Sequence, residues 1–265
     1  MAAAPPARPL PGLGNLNFVF YVVSASEMLA VEVDGAGNPL LSGQVLRQTG
    51  SFTDASLNGV SVIAFESLNL SDTPSATAGL VTTNGTGTLS LSADQNLGGT
   101  MSAPSYSGSY STSSNGRVTL SVTGQAAPVL YLIGPNQAFV IGTSLSAVDF
   151  GVMEPQTGSK FTNSSLTRLY LGGSFPPADT SVNEYVENLH ANGAGALTGA
   201  SDQNGSGGPS TNSIAQTYAV SSNGRVVVSQ SGAQTAIIYM ISDTQFVLLP
   251  ASVSDTNPAL SQFQQ

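Results

Sequence analysis

The hexapeptide SSNGRV occurs twice, as Ser113 to Val118 and as Ser221 to Val226, and the two copies stand 108 residues apart. Asn-Gly suits a type I′ turn, whose two central residues both need positive φ, so each copy predicts the tip of a β-hairpin. The flanks recur at nearly the same interval. Tyr110 is answered by Tyr218, NGTGTL at Asn84 by NGAGAL at Asn192, and the tripeptide Asp94, Gln95, Asn96 by Asp202, Gln203, Asn204. LYLIGPNQAFVI around Tyr131 is matched by IYMISDTQFVLL around Tyr239, with Phe139 set against Phe246. Each copy opens alike, with FTDASL at Phe52 and FTNSSL at Phe161, after QTGS at Gln48 and Gln156. A partial copy, FYVVSASEMLAVEVD, stands in front, with Tyr21 in the place of Tyr131. Self-similarity of this kind means one fold spelled more than once. The organisation read from it is a Pro-rich leader over 1–16, a partial repeat over 17–50 made of a β-hairpin and a closing strand, and complete repeats over 51–158 and 159–265.

Each complete repeat has about the usual size of a domain, enough to enclose its own core. Alternation puts Val118, Leu120 and Val122 on one face and Thr119 and Ser121 on the other, as in a half-buried strand, and Val226 and Val228 repeat the pattern. The hairpin arms PVLYLI and AFVI are apolar on both faces and call for cover on both sides. About eight strand-like runs per repeat, spaced roughly 8 to 12 residues apart, predict an antiparallel sandwich or barrel. A closed up-and-down barrel is favoured because closure leaves no edge strand. No helix is expected, since Gly, Ser, Thr and Asn favour turns and short strands. The Gly- and Ser-rich tract from Gly199 to Ser213 reads as a loop.

The order FT-x-x-SL, NGxGxL, DQN, Y-x-x-SSNGR, a Tyr-centred hairpin and Gln-Thr-Gly resembles the tandem β-repeats of large secreted acidobacterial proteins. Those repeats look like lipocalin-type barrels, and the resemblance covers nearly the whole chain after Asn15. It implies an all-β fold of two tandem antiparallel up-and-down, lipocalin-like β-barrels plus an N-terminal partial repeat. It brings no catalytic residue with it. This chain departs from the pattern in two places: SLTRLYL at Ser165 lacks the glycine that SLNGVSV carries at Gly59, and the leading repeat lacks its first half.

That missing half leaves the front hairpin, Asn17 to Asp34, with apolar residues and no strands to enclose them. Burial of each is worth roughly 1.5 to 3 kcal/mol, so the hairpin should find cover. Packing on the first complete barrel is the favoured arrangement, and self-association through a strand edge of another molecule is the alternative.

Charge narrows the partners. The net charge is −9, and the six basic residues, Arg8, Arg47, Arg117, Lys160, Arg168 and Arg225, are scattered. Nucleic acid and anionic membrane surfaces both draw on clustered Lys and Arg, so neither is expected. No segment approaches the roughly 20 apolar residues of a spanning helix, and the prolines of MAAAPPARPLPGLG interrupt any signal-peptide core. With no cysteine, disulfides and thiolate metal sites are excluded. Charged residues make up only 8% of a Ser-, Thr-, Asn- and Gly-rich chain, which points outside the cell or to its surface.

Candidate chemistry is sparse. His190, the single histidine, follows Glu184 and Glu187 at metal-ligand spacing for a helix. On a strand Glu187 and His190 fall on opposite faces, and Glu184 lies roughly 20 Å away at about 3.3 Å per residue, so His190 reads as a surface or loop histidine. A serine hydrolase lacks its GxSxG word. Acids isolated in turns read as backbone caps rather than a glycosidase pair. Asp94 with Asn96, and Asp202 with Asn204, faintly echo a calcium loop but supply too few of the six to eight oxygens required. Tyr110, Tyr131, Tyr218 and Tyr239 are expected to line the barrel walls. No catalytic, cofactor-binding or metal-ligating residue is assigned, and no enzyme activity is expected.

Two functions remain. One is a non-catalytic extracellular structural or adhesive β-repeat module, which is favoured. The other is a lipocalin-like protein that holds a small apolar ligand in a barrel interior. Inward-pointing Phe65, Leu120, Tyr131 and Phe139 would fill that interior and favour the first.

Overall fold

The computed structural model describes residues 16–34, 42–69, 73–145, 147–158, 160–174, 184–205 and 208–265; nearly all of the leader lies outside them. The chain forms two compact units, Met1–Thr49 and Gly50–Gln265. In the first, strands β1 (Phe18–Ser24), β2 (Glu27–Glu32) and β3 (Ser42–Leu46) make an antiparallel sheet in the order β1-β2-β3. Tyr21 stands opposite Leu29, and Met28 opposite Val45. The open end of the hairpin is held by Asp34, whose carboxylate accepts from the backbone N–H of Asn17 at 2.7 Å and from its side-chain amide. Every residue of β1 is exposed.

The second unit holds two closed antiparallel barrels of eight strands. Barrel 1 begins with β4 (Asn58–Asn69), β5 (Pro74–Asn84) and β6 (Thr88–Leu97), carries a short side strand β7 (Thr100–Ser102) on β6, and continues through β8 (Ser105–Thr112), β9 (Arg117–Val122), β10 (Val129–Gly134), β11 (Gln137–Ile141) and β12 (Ala147–Pro155). Strand β12 closes it on β4, from Ala147 opposite Asn69 to Pro155 opposite Ser61. Barrel 2 is β13 (Leu169–Ser174), β14 (Glu184–Ala191), β15 (Ala196–Gly205), β16 (Gly208–Val220), β17 (Arg225–Gln230), β18 (Ala233–Met240), β19 (Gln245–Pro250) and β20 (Ser261–Gln264), closed where β20 pairs with β13. Consecutive strands pair throughout, so both barrels are up-and-down. The expected fold is present, and the only helical turns among the described residues are one-turn 3₁₀ segments at Asp54–Ser56 and Asn163–Ser165.

Local chemistry explains the hairpin tips, with one correction. At the first SSNGRV, Ser113 N–H donates to the Arg117 carbonyl and Gly116 N–H to the Ser113 carbonyl, both at 2.9 Å. Among these residues only Gly116 has positive φ, at 83°, and in the second copy only Gly224, at 87°. The loop is therefore a three-residue turn ending in a left-handed glycine, not a type I′ turn. Asparagine serves by its side chain instead, Asn115 Oδ1 accepting from Arg117 N–H and Asn223 Oδ1 from Arg225 N–H.

A second correction concerns the tract Gly199 to Ser213, whose described residues, 199–205 and 208–213, form strand rather than loop: β15 and β16 pair from Ala196 opposite Thr217 to Gly205 opposite Gly208. Backbone pairing on both sides of β15 satisfies its amides whatever the side chains. Glycine is required at 199, where a Cβ would stand 1.9 Å from the Asn188 carbonyl oxygen.

Each barrel has its own core. Barrel 1 encloses Phe52, Leu57, Ile63, Leu132 and Met153, with Phe65 and Leu120 against them. Barrel 2 is filled by aromatics, Phe246 lying 4.9 Å from both Tyr170 and Phe263 between ring centroids. A tyrosine plugs each barrel identically. Tyr110 Oη donates toward the carbonyls of Leu57 (2.8 Å) and Asp54 (3.0 Å), and Tyr218 Oη toward those of Leu166 (2.7 Å) and Asn163 (3.1 Å). Asp54 Oδ1 accepts from Thr112 N–H just as Asn163 Oδ1 accepts from Val220 N–H. The 3₁₀ turn is thus tied to the strand that carries the tyrosine.

Of the four side chains that would fill barrel 1 by pointing inward, Phe65 and Leu120 do so and two do not. Tyr131 is exposed on the outer face, and Phe139 stacks outside on Phe150 at 6.4 Å. The alignment of Phe139 with Phe246 is off by one residue. Tyr131 pairs with Phe139, and Tyr239 with Val247, so Val247 is the structural equivalent of Phe139. A slip of one residue exchanges the two faces of a strand, which is why Phe246 is inside and Phe139 is not.

Candidate functional site

A buried polar cluster lies between the barrels of the second unit. The outer face of β4 and β5, with Val62, Ala64, Ala78 and Leu80, packs on the outer face of β18 and β19, with Ile237, Tyr239 and Leu249, and on Leu260. Small Ala side chains let the two sheets approach. This seam is a third hydrophobic core, belonging to neither barrel alone.

At its edge the two motifs that recur in the sequence meet. Asp94 of the first DQN accepts from Arg225 of the second SSNGRV, Oδ2 from Nε at 2.6 Å and Oδ1 from Nη2 at 2.9 Å. Tyr239 Oη donates to the same Oδ2 at 2.6 Å. Asp94 and Tyr239 are buried, and Arg225 is half-buried. The fork of the guanidinium matches the two carboxylate oxygens, and the phenol takes a remaining lone pair, so the buried charge is compensated. Burial, reinforced by the hydrogen bond to Asp94, pushes the Tyr239 phenol well above its ordinary value. The hydrogen bond to Asp94 also raises Arg225.

Asn96, fully buried, donates from Nδ2 to the Pro250 carbonyl at 3.0 Å and accepts from Gly99 N–H at 2.8 Å. Glu66 Oε1 accepts from Leu260 N–H at 2.5 Å. Gln156, in the link between the barrels, donates to the carbonyls of Met240 (2.8 Å) and Asn223 (3.0 Å). An open cleft of about 610 Å³ runs beside the seam past Thr82, Ser92, Gln156 and Asn223. A larger one, about 850 Å³, opens at one end of barrel 2 past Tyr185, Gln203, Asn204 and Thr211.

The residues weighed from sequence are scattered. His190 is exposed on β14 opposite Leu169. Glu187 points to the other face, where burial raises its carboxyl. Asp94 and Asn96 place their side chains in hydrogen bonds at the seam, while Asp202, exposed, accepts from Thr211 Oγ1 at 2.6 Å. No group of three or more His, Cys, Asp or Glu gathers as metal ligands among the described residues. Of the four recurring tyrosines, Tyr110 and Tyr218 are inside, Tyr239 is in the seam and Tyr131 is exposed. The ion pair of Arg225 with Asp94 was not legible in the sequence. The available signal was the contrast between the copies: Ala76, Ala78 and Leu80 stand where barrel 2 has Glu184, Val186 and Asn188.

Fold and seam together define a tandem up-and-down β-barrel protein. No family model and no curated protein sequence matches the chain. Among solved structures, it is similar to a protein of unknown function of the DUF3598 family from Nostoc punctiforme PCC 73102. The identity is 11%, with 78% of this chain and 94% of that chain covered, at a TM-score of 0.26.

Proposed function

We propose that this chain is a non-catalytic structural module of the cell exterior, in which two filled barrels are locked together by a hydrophobic seam and its Asp94–Arg225–Tyr239 clasp. The observation that carries this reading is the filling of both interiors. Tyr170, Phe246, Phe263 and Leu189 are fully buried in barrel 2, as are Leu57, Leu132 and Met153 in barrel 1. A ligand-carrying barrel keeps that volume for its cargo. The low charge and the Ser-, Thr-, Asn- and Gly-rich composition fit an extracellular setting, as does the resemblance to secreted acidobacterial β-repeats.

The test is a thermal-shift screen with fatty acids and other small apolar compounds. A ligand present at a hundred times its Kd adds about 2.7 kcal/mol, a rise of roughly 5 to 10 °C in Tm for a unit of this size. The structural reading expects no such rise. A saturable shift would instead favour the ligand-binding barrel, with the open end of barrel 2 as the place to map it.

A further inference from the structure

The seam uses one face of barrel 1 and a different face of barrel 2, and each barrel also possesses the face that its neighbour uses. Strand register makes the equivalences firm. Arg117 stands opposite Tyr131 in barrel 1 as Arg225 stands opposite Tyr239 in barrel 2. Ile141 answers to Leu249, and Phe150, opposite Ile141, answers to Leu260. On the other face Leu171, opposite Asn188, answers to Val62, opposite Leu80; Gly173 and Val186 answer to Ala64 and Ala78; and Asp202 answers to Asp94.

The two unused faces are exposed and apolar. Tyr239, Leu249 and Leu260 are 2%, 0% and 0% exposed in the seam, whereas Tyr131, Ile141 and Phe150 are 45%, 52% and 59% exposed. Val62 and Ala78 are 1% and 0% exposed, whereas Leu171 and Val186 are 59% and 70% exposed. Patches of this kind mark interaction surfaces. Their charges are complementary in the sense of the seam: Arg117 now donates to the Thr119 hydroxyl, and Asp202 accepts from that of Thr211.

We infer that the chain associates head to tail with a second copy of itself, the Asp202 face of barrel 2 in one molecule seating on the Arg117 and Tyr131 face of barrel 1 in the next, in repetition of the seam that joins its own barrels. Such a contact is heterologous and leaves a free face at each end, so it extends beyond a dimer unless the ring closes. It lacks the covalent link that holds the internal seam at high effective concentration, and Asn188 replaces an apolar Leu80, so it forms only as protein concentration rises and weakens with salt. The inference rests on the structural-module reading and names the partner of that module.

Sedimentation velocity of the full chain, from roughly micromolar to about millimolar, tests it. The expected result is a weight-average mass that grows past that of a dimer. Asp202→Arg and Arg117→Asp, both at exposed or half-exposed positions, each weaken association at least tenfold while far-UV circular dichroism stays unchanged. An equimolar mixture of the two variants restores it, because reversed charges then face each other. A monomer at every concentration overturns the pairing but leaves the structural reading standing. Association untouched by either reversal, or abolished by Phe20→Ser in the front hairpin, also overturns it.

Discussion

Replacing Asp94 by alanine tests the clasp most directly. The carboxylate takes three hydrogen bonds, two from Arg225 and one from Tyr239. Its loss strands a guanidinium and a buried phenol. Breaking a buried pair from one side costs about 3 to 5 kcal/mol, but the Arg225 side chain keeps 30% of its exposure, so water recovers part of that and about 2 to 4 kcal/mol remains. With a urea slope near 2 kcal/mol/M, the unfolding midpoint falls by about 1 to 2 M. Circular dichroism is the readout, since the chain has no tryptophan. The matched control is Asp202→Ala, the same letter in the same motif at an exposed position, expected within about 0.5 kcal/mol of the parent. Adding Arg225→Met to Asp94→Ala removes the orphaned charge and recovers part of the loss. Equal midpoints for the two alanine variants would refute the reasoning.

Further outcomes follow from the same physics. Tyr110→Phe and Tyr218→Phe each leave carbonyls in the 3₁₀ turn without their donor and lower stability by about 1 to 3 kcal/mol in chemical denaturation, with equal costs in the two barrels. Thr112 Oγ1 is the one buried side-chain polar atom without a partner among the described residues, so Thr112→Val raises stability by up to about 1 kcal/mol in the same assay. Burial raises the Glu187 carboxyl in the folded state, so the fold prefers it protonated. That preference stabilises below the ordinary carboxylate range and is lost as pH rises through the raised value. Glu187→Gln therefore stabilises at pH about 7 and loses its advantage near pH about 4 in urea titrations.

What was legible in the chain depended on range. The eight strands of each barrel, the hairpin tips and the inward positions of Val118, Leu120, Val226 and Val228 follow from a period of two and from turn residues, all set by near neighbours. The turn type was misread because Asn115 and Asn223 act through side-chain caps rather than through their own φ. The expected cover on both faces of the Tyr-centred hairpin is met in barrel 2 and not in barrel 1, where Tyr131 and Ile141 face outward. Polar composition hid β15 and the start of β16, because ladder pairing depends on the backbone and not on apolar side chains.

The amino-acid sequence alone determined that one β-barrel plan is written twice, because repetition, alternation and turn chemistry act over a few residues. It did not determine which copies of the shared letters touch. Asp94 and Arg225 are 131 residues apart, and Asp94 and Tyr239 are 145 apart. DQN is buried in one barrel and exposed in the next, with Tyr239 enclosed while Tyr131 meets solvent. Only the tertiary structure decided that. Burial and charge compensation depend on what stands across the gap, and identical residues acquire different roles when one faces a neighbouring barrel and the other faces water.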